Sequence, residues 1–96
     1  MRFDAELWRH DGGAAWHFVT LPHHVADEIA ERAAKAHRPF GSLPIRATIG
    51  RTTWTTSLFA DTKRASYLLP VKADVRRREQ LDAGQRVAVA IELTAA

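Results

Sequence analysis

Apolar and polar residues alternate from the start of the chain. Phe3-Asp4-Ala5-Glu6-Leu7 places an apolar side chain at every second position, the period of a strand with one buried face. Asp11-Gly12-Gly13 predicts a turn, because glycine takes positive φ without steric cost. The next run, Ala15–Leu21, is aromatic and β-branched and reads as the second strand of a hairpin. Pro22 stops it, having no N–H for a ladder, and suits the start of a helix. Over residues 23–36 the period changes to four. Val25, Ile29 and Ala33 share one face, while Asp27, Glu28, Glu31 and Arg32 lie opposite. Acids early in this segment and Lys35 late suit the helix dipole. Pro39, Gly41 and Pro44 predict a loop. Ile45-Arg46-Ala47-Thr48-Ile49 alternates cleanly as a third strand, and Gly50-Arg51 is the next turn.

The second half follows the same plan. Thr53–Phe59 reads as a threonine-rich strand, Asp61-Thr62-Lys63-Arg64 as a polar turn, and Ser66-Tyr67-Leu68-Leu69 as a strand stopped by Pro70. Residues 73–80 predict a short helix contacting the core through Val75. Asp82-Ala83-Gly84-Gln85 turns the chain into Val87–Leu93, the clearest strand of all, and the last three residues are expected to fray. Phe18–Pro22 lines up with Ser66–Pro70, Glu6-Leu7-Trp8 with Ser57-Leu58-Phe59, and Ile45-x-Ala47-x-Ile49 with Val87-x-Val89-x-Ile91. The order ββαβ is therefore written twice. Six strands with single apolar faces would leave costly edges in an open sheet. The expected fold is mainly β: a closed or nearly closed six-stranded barrel from two ββαβ halves, with one longer and one short helix.

At 96 residues there is room for a single domain over residues 1–96. With no cysteine, a disulfide framework, a thiolate metal site and a cysteine nucleophile are excluded. No stretch approaches the ~20 apolar residues of a membrane span, and Met1-Arg2-Phe3-Asp4 does not open a signal peptide. A cytoplasmic domain without membrane contact, monomeric or homodimeric, is expected. The net charge of +3 is unevenly spread. Residues 1–34 carry three arginines against six acids. Residues 35–78 carry ten Lys or Arg against Asp61 and Asp74, and residues 79–96 one arginine against three acids. A central basic block can attract phosphates or acidic partners if folding keeps it together.

The chain resembles the bacterial and archaeal family called domain of unknown function 1905. The resemblance is carried by Ala15–Pro22, Phe40-Gly41-Ser42, Ile45–Gly50, Thr53–Phe59, Tyr67–Lys72, Val75-Arg76 and Gly84, in that order. It implies a small all-β barrel with one or two helices and brings no established activity. Some similar domains are joined to a second domain of the bacteriocin-protection type. Ala60 stands where that family is expected to prefer proline, a departure that falls in an expected turn.

The residues themselves offer little catalytic chemistry. His23 and His24 are adjacent, so on a helix their side chains diverge by about 100°, and His10, His17 and His37 show no ligand spacing with them. Ser42, Ser57 and Ser66 sit in no nucleophile elbow, and no glycine pattern forms a phosphate loop. No metal or cofactor is expected, and the balance leans away from an enzyme. A polar strand face is the better candidate. Arg46 and Thr48 share one face of their strand, and Thr53, Thr55 and Ser57 one face of the next, with Trp54, Thr56 and Leu58 opposite. Lys72 and Arg76 follow the second Leu-Pro junction. The candidate ligand residues are therefore Arg46, Thr48, Trp54, Ser57, Lys72 and Arg76, which could grip a carboxylate or phosphate. Trp8, Trp16 and Trp54 are expected in the core or at its rim, with base stacking the other possibility. Arg76-Arg77-Arg78 could instead touch a nucleic-acid backbone. Two functions stand ahead of an enzyme of unknown type: a binding module for an anionic small molecule or acidic protein, and a nucleic-acid-binding barrel.

Overall fold

The computed structural model describes residues 1–12, 15–36 and 42–94. Gly13, His37, Pro39 and the Phe40-Gly41 pair of the expected motifs lie outside them. The described chain forms β1 (Arg2–Arg9), β2 (His17–Thr20), α1 (His23–Lys35), β3 (Ser42–Ile49), β4 (Thr52–Asp61), β5 (Ser66–Pro70), α2 (Ala73–Glu79) and β6 (Arg86–Leu93). The strands close into one antiparallel barrel in the order β1-β2-β5-β4-β3-β6. Closure is what the alternation demands, because it buries one face of every strand and leaves no open edge. Leu7, Val19, Leu43, Ile45, Leu58, Leu69 and Ile91 point inward and are fully buried. Ile29 of α1 and Val75 of α2 join the same core. No helix among the described residues is long and apolar enough to cross a membrane.

Exchanging β1 with β4, β2 with β5 and β3 with β6 carries the ring order into itself. The hydrogen bonds follow: Leu21 N–H donates to Tyr67 O at 3.0 Å, and Val71 N–H donates to His17 O at 2.9 Å. Leu21 thus corresponds to Val71 and the N-cap Pro22 to the N-cap Lys72. The two Leu-Pro pairs are not equivalent points; Pro70 ends β5 two residues earlier. The shift is even, so inward residues still match inward residues.

Three other expectations change. Pro44 lies inside β3, opposite Ser57, rather than in a loop. Its carbonyl accepts from Thr94 N–H at 3.3 Å and from Thr94 Oγ1 at 3.2 Å. In a strand a residue's N and C=O point the same way, so the missing N–H also faces β6, just past the end of that ladder at Ile45↔Leu93. The same contacts hold Thr94, which was expected to fray. Ala60 and Asp61 are the end of β4, paired with Tyr67 and Ser66, not a turn.

α2 is short because its C-terminus is firmly capped. Gln80 adopts φ 55°, its N–H bonds Arg77 O, and Leu81 N–H bonds Arg76 O at 2.8 Å. This is a Schellman motif, completed by burial of Leu81 alongside Val75. Left-handed backbone is unfavourable for a residue with a Cβ. Gln80→Gly is therefore expected to stabilise the domain by roughly 1 kcal/mol. Thermal denaturation checks this, and an unchanged or lowered melting temperature would contradict it.

Candidate binding groove

β4 pairs with β3 along the whole of Thr52–Phe59, but with β5 only at Phe59, Ala60 and Asp61. The far end of β5, Leu68–Pro70, pairs with β2. β4 and β5 therefore diverge beyond Phe59, and the wedge between them is an open groove of about 440 Å³. Trp54, Thr55, Thr56 and Phe59 line it from β4, Ala15, Trp16, His17 and Pro70 from the other side, and Val71, Lys72, Ala73 and Arg76 from the start of α2. The helix at the wedge, α2, is the shorter of the two. α1 has 13 residues and buries Val25, Ala26, Ile29 and Ala33, whereas α2 has 7 and buries Val75.

Backbone bonds set the lining side chains. His10 N–H donates to Trp16 O at 2.8 Å and closes the β1–β2 hairpin. The Val71–His17 bond then brings Lys72 beside Trp16. Arg76 Nε donates to Val71 O at 3.2 Å, which fixes the plane of the guanidinium at the end of β5. His17 Nδ1 donates to Ala15 O at 3.0 Å, leaving Nε2 for other partners.

Burial gives the groove its apolar character. Trp54 is 7% exposed, but Trp16 is 52% and Phe59 42% exposed. These two are the exposed large hydrophobics among the described residues, and both line the groove. Trp16 stacks on Phe18 with ring centroids 6.0 Å apart and planes 13° from parallel. Phe18 in turn meets Trp8 at 5.3 Å, and Arg64 sits 4.6 Å above the Trp8 ring. That arginine is engaged by Asp61. Its hydrogen bond, against the opposing effect of burial, holds the Asp61 carboxyl below the ordinary 3.8. A depressed carboxyl stabilises the fold above its unfolded pKa, and that contribution disappears as pH falls through the folded value.

The charge in the groove is one-sided. His17, Lys72 and Arg76 are its ionisable lining residues, and no carboxylate is among the described residues that line it. Elsewhere part of the basic block is paired: Arg46 with Glu92 at 3.6 Å, Lys35 with Glu31 at 3.5 Å, Arg64 with Asp61, and Arg77 with Asp74, while Arg51, Lys63 and Arg78 show no ion pair among the described residues. Among the described residues Lys72 and Arg76 have no acid at ion-pair distance. The hollow beside α1 has the opposite lining, with Ala26, Asp27, Asp61 and Tyr67.

The structure thus gathers Trp54, Lys72 and Arg76 of the six sequence candidates. The other three lie apart. Arg46 reaches Glu92 across the β3–β6 ladder. Thr48 shares a 2.9 Å hydrogen bond with Thr53 and lines a shallow depression near Arg2 and Phe3. Ser57 faces Pro44 in the β3–β4 ladder. Trp16, expected in the core or at its rim, is half-exposed at the edge of the groove. With Phe59, His17, Thr55 and Thr56 it belongs to the site but was not among the candidates. No group of three or more His, Asp or Glu that could hold a metal occurs among the described residues.

Residues 3–91 match the model of a family described as Domain of unknown function (DUF1905), a span that includes every groove residue. The chain belongs to this family. A search of the curated proteins found no match. The barrel and the groove, rather than a characterised relative, therefore frame the function of this DUF1905 domain.

Proposed function

We propose that this DUF1905 domain is a non-catalytic binding module of the cytoplasm whose ligand is an anion seated in the β4–β5 groove. The observation that carries this reading is the pair Lys72 and Arg76. They are the groove's two permanent cations, they lack acidic partners among the described residues, and they stand beside the most exposed aromatic surface. Unpaired cations at an apolar concavity lose little by binding an anion and gain charge-assisted hydrogen bonds. The volume falls within the roughly 300–1,000 Å³ usual for ligand sites. A nucleic-acid reading has less behind it, because Lys72 and Arg76 line an apolar groove and four other cations of the central block are already held in ion pairs.

The halves read as an internal duplication in which a single copy kept the site. The counterparts of Trp16, Lys72 and Arg76 are Ser66, Pro22 and Ala26, so one ligand per chain is expected. At tenfold excess over Kd, an anion that fits should raise the melting temperature by roughly 5 °C or more. Lys72→Ala, an exposed substitution, should fold normally and lose most of that shift. A panel of carboxylates, phosphates and sulfates that leaves the wild type unmoved would refute the proposal.

A further inference from the structure

The groove's two kinds of surface specify more than a charge. Trp16 stacks Phe18 on one side, and its remaining area and that of Phe59 stay in water at the groove. An inorganic anion held by Lys72 and Arg76 would leave both rings wet. A ligand carrying its own flat ring would cover them, gaining apolar burial together with ring–ring contact. The arginine narrows the anionic group. Its Nε is committed to Val71 O, which leaves the terminal pair Nη1 and Nη2 as a planar two-pronged donor. That end matches the two oxygens of a carboxylate lying in the same plane. Lys72, one residue beyond Val71, adds charge without imposing direction.

We infer that the ligand class of this groove is an aromatic carboxylate, with its ring against Trp16 and Phe59 and its carboxylate on Arg76 and Lys72. This rests on the anion-binding reading above and adds the ring and the identity of the acidic group. His17 Nε2 and the hydroxyls of Thr55 and Thr56 are the polar groups left along the lining for substituents on the ring.

The test is an NMR titration of the intact domain, amide and tryptophan side-chain signals together. The probes are 2-naphthoate, acetate, inorganic phosphate, 2-naphthyl phosphate and the neutral 2-naphthalenemethanol. Expected are saturable shifts with 2-naphthoate that include the Trp16 indole N–H and residues 71–73, with every other probe at least tenfold weaker. Arg76→Lys, which keeps the charge but loses the fork, should weaken 2-naphthoate at least fivefold. Trp16→Ala should do the same, both with melting temperatures near wild type. Acetate or inorganic phosphate binding as tightly as 2-naphthoate would overturn the aromatic assignment and leave the anion-binding reading standing. Tighter binding of 2-naphthyl phosphate would overturn the carboxylate assignment alone. Equal binding of the neutral alcohol, or no groove shifts with any probe, would overturn both.

Discussion

Leu69→Ala is expected to cost about 3 kcal/mol of folding stability, and Leu68→Ala less than about 1 kcal/mol. The two leucines are neighbours on β5 and differ only in the face they take. Leu69 is fully buried and pairs with Val19, so its truncation leaves a cavity where strands of both halves meet. Leu68 is half-buried and points outward beside Thr20 and Phe59, where the remaining surface can stay in water. A domain of this size has roughly 5–15 kcal/mol to lose, so the first substitution removes a large share and the second little. Urea denaturation of both variants against wild type decides the matter. Similar losses at the two positions would mean that the alternation does not assign the faces as described.

Alternation is also why so much of the barrel could be read from sequence. β1, β3 and β6 each put apolar residues at every second position, and a closed sheet is the arrangement that hides all those faces at once. Local motifs were less reliable where an identical dipeptide serves two purposes. Leu21-Pro22 leads directly into α1 with Pro22 as its cap, whereas Leu69-Pro70 still belongs to the β5 ladder. Pro44 misled for a related reason. Proline in a strand is tolerated where its nitrogen faces the end of a ladder, and which side it faces depends on pairing that lies fifty residues away at Thr94.

The site was half legible. Lys72 and Arg76 follow a strand end and open a helix, so local reading places them together. Arg46 looked equivalent by alternation, but the barrel sets Glu92 across from it and closes that charge. Trp16 and Phe18 did leave a signal, since they fall on the face opposite Val19 and Leu21. Reading the tryptophans as core or rim packing passed over it. The wedge itself had no signal, because the point where β4 leaves β5 is decided by the register of both strands with their other partners.

Gly50→Ala should destabilise the domain by about 3 kcal/mol, through an acid on α2 far away in sequence. Gly50 has φ +59°, and a Cβ there would come within 1.9 Å of Glu79 Oε1. The glutamate is flexible and would swing aside, but it is not idle where it stands. Its Oε2 accepts the Thr52 hydroxyl at 2.7 Å and the Arg51 N–H at 3.3 Å. Thr52 is buried, so its hydroxyl would lose a charged acceptor, worth about 1.5–3 kcal/mol. Water can replace the acceptor at exposed Arg51. The left-handed backbone adds about 1–2 kcal/mol for alanine. Glu79→Ala alone should cost the Thr52 term, and adding Gly50→Ala to it only the backbone term. The double variant should therefore be more stable than the sum of the singles implies, by roughly 1.5 kcal/mol or more. Strict additivity in chemical denaturation would show that the two residues do not meet. The clasp also holds the groove's own helix: Glu79 ends α2, which begins beside Lys72 and carries Arg76.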